Sequence, residues 1–120
     1  MEQRDLEYFS VLLNKLLTDA MQKNEETLES MNNAIEIFAD PADRAAMESN
    51  RTFTLRLRDR ERKLIKKIQG ALRRLEEGTY SICDECGENI SISRLKARPV
   101  TRLCIRCKSK QEEEETLRGD

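Results

Sequence analysis

The sequence predicts an all-α-dominated chain: a long antiparallel helical hairpin of coiled-coil type, a small four-cysteine finger and a short C-terminal helix. Three observations lead there. Apolar residues step by three and four over two long segments, as one face of a helix requires. A single Asp-Pro break, Asp40-Pro41, separates those segments. Two Cys-x-x-Cys pairs follow them, with seventeen residues between Cys86 and Cys104.

The first segment carries Leu6, Phe9, Leu13, Leu16 and Ala20, then Leu28, Met31, Ile35 and Phe38. Between Gln22 and Thr27 no apolar residue holds the stripe, and it resumes one residue out of phase, so a local loosening is expected there. The second segment carries Phe53, Leu57, Leu64, Ile68, Ala71 and Leu75, widened by Ile65 and Leu72. A helix with one apolar seam is marginal alone in water and must bury that seam on a partner. Two adjacent helices of this length joined by a tight connection pair antiparallel, each arm roughly 50 Å long at 1.5 Å per residue. The expected boundaries are 1–78 for the hairpin, with its tip near 39–45, then 79–108 for the finger and 109–120 for the tail.

At the tip, Asp40-Pro41-Ala42-Asp43 offers an acidic N-cap, a proline at the first helical position and a carboxylate near the positive end of the dipole. Capping alone accounts for one carboxylate, whereas two at the far end of a slender hairpin put negative charge where it first meets a partner. Gly78 is the expected stop of the second helix, since a C-terminal cap favours positive φ. Gly70, inside that helix, suggests a close backbone approach or a bend.

Cys83, Cys86, Cys104 and Cys107 have the spacing of a structural zinc site. Each pair folds into a tight knuckle that offers two thiolates, Gly87 permits the turn after the second, and two knuckles complete a tetrahedron closed to water. Disulfides, a redox Cys-x-x-Cys and an iron–sulfur cluster are the competing uses of four thiols. Neither an oxidising compartment nor a thioredoxin-like βαβ setting is visible, and paired knuckles favour one zinc ion. The segment Ile90-Ser91-Ile92-Ser93 alternates like a short strand.

The 120 residues are 38% charged and 38% hydrophobic, too lean for a large single core. With no histidine, Ser-His-Asp and Cys-His nucleophiles and imidazole general bases are excluded. A net charge of −1 hides an asymmetry: residues 1–50 hold 4 basic and 11 acidic side chains, 51–110 hold 17 and 7, and 111–120 hold 1 and 5. The basic middle suits phosphates or an acidic protein, while the ends avoid them. The first ten residues lack the apolar run of a signal peptide, and no stretch is long and apolar enough to span a bilayer. A cytoplasmic protein with reduced thiols is expected.

These features resemble the DksA/TraR family of bacterial RNA polymerase-binding transcription factors. The resemblance is carried by the tip Asp40-Pro41-Ala42-Asp43-Arg44-Ala45-Ala46, by the stem Arg58-Asp59-Arg60-Glu61-Arg62-Lys63-Leu64-Ile65-Lys66-Lys67-Ile68, and by Arg94-Leu95 and Ala97-Arg98-Pro99 between the cysteine pairs. It implies that the hairpin enters the polymerase secondary channel and brings Asp40, Asp43 and Ala45 close to the catalytic elements, changing the lifetime of initiation complexes without covalent chemistry of its own. It also implies that the alarmone ppGpp binds where factor and polymerase meet, at Leu64, Lys67, Arg98 and Lys108. Longer family members carry a further N-terminal helical segment, whereas here Leu6 already lies on the first stem helix. A monomer is expected, with no membrane contact and no sequence-specific DNA binding.

Two rival functions follow from the residues. Residues 94–110 hold seven basic and no acidic side chains, which suits a zinc-ribbon nucleic-acid binder, although stacking aromatics are missing there. A carboxylate tip could also position a second magnesium in the polymerase and promote transcript cleavage.

Overall fold

The computed structural model describes the backbone of residues 1–37 and 41–119, and the side chains of 1–31 and 48–119. Four helices follow one another among these described residues: α1 (Gln3–Ile37), α2 (Pro41–Glu77), α3 (Ile92–Ala97) and α4 (Ile105–Leu117). Among the described residues the only strand-like pairing is an isolated antiparallel bridge between Ile82 and Asn89. No helix among the described residues is long and apolar enough to cross a membrane.

α2 starts at Pro41, where a fixed φ and a missing N–H cost nothing. It ends at Glu77, and Gly78 follows with φ +80. There the Thr79 amide donates to the Arg74 carbonyl at 2.9 Å and the Gly78 amide to Leu75 at 3.4 Å, the paired bonds of a Schellman cap. α1 runs without interruption through Gln22–Thr27, so the phase shift in its apolar stripe does not break the helix. An added Cβ at Gly70 would meet nothing nearer than the Arg74 side chain at 3.7 Å, so Gly70 marks no close approach.

The contacts divide the chain into two compact units. The first joins Met1–Asn14 to Ile68–Asp120 and holds Phe9, Leu13, Ile68, Ala71, Tyr80, Ile90 and Leu95, each at least 98% buried. Phe9 and Tyr80 rings stand 5.2 Å apart between centroids, and the Tyr80 hydroxyl donates to the Pro99 carbonyl at 2.7 Å. Burial holds this phenol in its neutral form, raising its pKa to about 12 against a smaller opposing pull from Arg74. Tyr80 therefore closes the base of the helices and anchors the loop after α3 with one side chain.

The second unit, Lys15–Lys67, pairs the remaining parts of α1 and α2. Thr27 on α1 hydrogen-bonds Glu61 on α2 at 3.0 Å. Thr27 and Glu61 meet although they are 34 residues apart in sequence, and α2 begins at Pro41 soon after α1 ends at Ile37, so within this unit the two helices run antiparallel. The seam differs from the one the apolar pattern suggests. Phe53 and Leu64 are 69% and 44% exposed, while Thr54, Leu57, Arg58 and Ile65 are half-buried and Glu61 is buried at 7%.

Candidate metal centre

Two turns present the sulfurs. In the first, the Cys83 amide donates to Glu88 at 2.8 Å, the Gly87 amide returns to the Cys83 carbonyl at 3.0 Å, and Gly87 adopts φ +73. A side chain there would strain the turn. In the second, Cys104 takes the extended N-cap conformation before α4, and its amide donates to the Cys83 sulfur at 3.4 Å. The Asp84 amide donates to the Arg102 carbonyl at 2.9 Å and the Arg102 guanidinium pairs with the Asp84 carboxylate at 2.9 Å, tying one turn to the other.

Between the turns the strand expected at Ile90–Ser93 is absent. The Ser91 hydroxyl accepts the Arg94 amide at 3.2 Å and so caps α3, because a serine before a helical run competes better as an N-cap than as a strand residue. Ile90 and Leu95 turn inward, and the Arg94 guanidinium donates to the Leu103 carbonyl at 3.0 Å, bracing the approach to Cys104.

All four sulfurs lie within 4.8 Å of one another, and those of Cys86 and Cys104 are 3.8 Å apart. A tetrahedron with metal–sulfur bonds of about 2.3 Å has edges of about 3.8 Å. The donor set therefore fits one tetrahedral soft-ligand ion with every position filled by protein. The thiols are unequal. Burial pushes Cys83 up, yet amides of Cys86, Cys104 and Glu85 hydrogen-bond its sulfur and bring it down to about 6. Cys104 is lowered, chiefly by the Cys107 amide. The Cys107 thiol is pushed up to about 12 by its hydrogen bond to Cys104 and then by burial. A bound dication removes that competition by taking all four as thiolates.

Fold and centre together define a closed four-cysteine metal finger following a pair of long antiparallel helices. Comparison with known proteins gives the family. Residues 5–75 match the family described as DnaK suppressor protein DksA, N-terminal domain, and residues 78–113 match the prokaryotic dksA/traR C4-type zinc finger. The chain belongs to the DksA family, and its metal is one structural zinc ion. It is 41% identical over 120 residues to the RNA polymerase-binding transcription factor DksA of Caulobacter vibrioides, covering all of this chain and 84% of that protein. With the Escherichia coli K12 protein of the same name the identity is 40% over 109 residues, covering 91% and 72%. The solved structure of transcription factor DksA2 from Pseudomonas aeruginosa superposes with a TM-score of 0.90 at 37% identity, covering 97% of this chain and 89% of that one.

The other expected site residues are distributed as follows. Asp40 lies outside the described residues, and Asp43 and Ala45 fall in the first turns of α2. Leu64 and Lys67, exposed on α2, belong to the unit Lys15–Lys67. Arg98, exposed as the C-cap of α3, and Lys108, half-buried on α4 and donating to Gln111 at 3.1 Å, belong to the finger-bearing unit. Of the seven cations in residues 94–110, Arg94, Arg102 and Arg106 are committed to Leu103, Asp84 and Glu88. The motif reading missed their structural use. The available signal was charge complementarity between the two cysteine pairs, with Asp84 and Glu88 around the first and Arg102 and Arg106 around the second.

Proposed function

We propose that this protein binds RNA polymerase directly and modulates transcription initiation, acting in the cytoplasm as a monomer and without sequence-specific DNA binding. The hairpin tip enters the secondary channel, where the carboxylates of Asp40 and Asp43, with Ala45 beside them, act on the catalytic elements through charge and hydrogen bonding. The chain performs no covalent step. It shifts a multistep equilibrium by binding its states unequally, for which a few kcal/mol suffices. The alarmone ppGpp binds at the junction with polymerase, its phosphates held by Lys67, Arg98 and Lys108 beside Leu64.

One observation carries this reading. Identity of 41% runs through all 120 residues, so tip, stem and finger all lie within what is shared with a relative named for polymerase binding. Three committed arginines also leave the basic stretch 94–110 with fewer free cations for nucleic-acid phosphates.

The test is co-purification of the zinc-loaded chain with core RNA polymerase, followed by initiation-complex lifetimes. Asp43→Asn should bind with unchanged affinity and lose the effect on lifetime. Lys67→Ala and Arg98→Ala should remove only the response to added ppGpp. Tight binding to free DNA at physiological salt would favour the nucleic-acid reading, and transcript shortening in backtracked complexes would favour the cleavage reading.

A further inference from the structure

The middle of the helix pair buries the wrong residues for a seam chosen by hydrophobicity. Phe53 and Leu64 stand 69% and 44% exposed on α2, whereas Glu61 between them is 93% buried. At 100° per residue, Glu61 lies roughly 60–80° around the helix from those two apolar side chains. A modest turn of α2 about its axis would put Glu61 in water and bring Phe53 and Leu64 inward beside Leu57. That alternative is the apolar stripe Phe53, Leu57, Leu64 that the sequence pattern itself favours.

The chosen seam is also poorly satisfied. The Thr27 hydroxyl is 3.0 Å from Glu61 Oε1 and 3.0 Å from the Lys23 carbonyl, so one proton serves two acceptors. Glu61 Oε2, Asn24 Oδ1 and Arg58 Nε are buried with no hydrogen-bond partner. Burying polar atoms in this way opposes folding. Something must favour this orientation over the apolar one. On α1, the only large apolar residue between Ala20 and Leu28 is Met21, which is 46% exposed. In the register set by Thr27 and Glu61, Asn24 and Thr27 face the Glu61–Leu64 layer and give Leu64 nothing apolar to pack against, while Thr27 offers Glu61 a donor.

We infer that Thr27 and Glu61, with Asn24 and Arg58 flanking them, form a rotational lock that holds α2 with Phe53 and Leu64 facing outward. Polar groups at a single layer of a helix pair specify alignment at a cost in stability. Here the quantity specified is which face of α2 is offered to solvent or to a partner. The lock concerns only Lys15–Lys67 and stands whether or not the polymerase reading holds.

The chain contains no tryptophan, so Phe53→Trp in the full-length, zinc-loaded protein installs a single reporter on the outward face. The parent should show red-shifted emission and ready quenching by acrylamide. Thr27→Val keeps the volume and removes the donor. It should shift the emission to the blue and lower the quenching constant several-fold at unchanged helicity. Thr27→Ser, which keeps the hydroxyl, should behave as the parent. Adding Glu61→Leu to Thr27→Val makes the present seam apolar and should return the reporter to water. A protected reporter in the parent overturns the lock. So does Thr27→Val with unchanged quenching or with lost helicity, and so does a reporter that stays protected once Glu61→Leu is added.

Discussion

The two units bury different chemistry on the same pair of helices. Among residues with described side chains, every buried one except Ala20 and Glu61 belongs to Met1–Asn14 and Ile68–Asp120. There the aromatic pair Phe9 and Tyr80, the aliphatics around them and the four-cysteine centre converge on one core. The unit Lys15–Lys67 instead centres on a threonine–glutamate bond with unpartnered polar atoms nearby. The contrast separates two tasks. The first unit concentrates stability, and the second keeps an exact facing of its helices at the expense of stability. Regions with few buried apolar contacts open first, so Lys15–Lys67 should exchange its amides faster than the base does.

The largest effect tests whether the metal organises only its own neighbourhood. Four thiolates on zinc contribute on the order of 10 kcal/mol of folding free energy. Strong chelation, or Cys104→Ser, should abolish amide protection over residues 80–110 and leave most of the helical circular dichroism. Protection of that segment without metal would contradict the assignment.

Phe9→Ala comes next, at about 3–5 kcal/mol, because it empties a fully buried site against Tyr80. Denaturant unfolding should register the loss in the base, with exchange in Lys15–Lys67 changed far less. Equal losses in both units would mean that they unfold as one.

Alkaline pH sharpens the same comparison. The folded Tyr80 phenol, with its pKa raised to about 12, keeps its proton while the unfolded one releases it near 10. Between those values the folded state binds more protons, so stability is full below pH 10 and falls as pH rises toward 12, by up to about 3 kcal/mol. Tyr80→Phe should flatten that fall while costing about 1–3 kcal/mol at neutral pH, since the Pro99 carbonyl loses its donor. An equally steep alkaline loss in Tyr80→Phe would move the cause elsewhere.

The smallest effect is local. Ser91→Ala removes the α3 cap, which costs about 1 kcal/mol. It should speed exchange in Ile92–Ala97 and leave the metal affinity nearly unchanged.

Residue spacing determined much of this protein by itself. Two long helices broken at Pro41, a stop at Gly78 and four cysteines poised for one ion all follow from local chemistry: apolar periodicity, a missing N–H, a tolerated positive φ, thiolates in tight turns. The two tip carboxylates were legible as an Asp-Pro-x-Asp helix start, while the likeness to a family added Ala45, their expected role at polymerase and the ppGpp residues, which neither periodicity nor spacing reaches. What only the tertiary structure decided concerns competition between comparable local options. Ile90–Ser93 alternates as a strand would, yet Ser91 finds the Arg94 amide and starts a helix. Phe53 and Leu64 sit on the more hydrophobic stripe, yet Glu61 goes inside because Thr27 on the facing helix supplies a donor. A periodic pattern read along one strand of the chain weighs each face by its own residues. The face that is buried depends on what stands opposite, and that is settled only when the two helices meet.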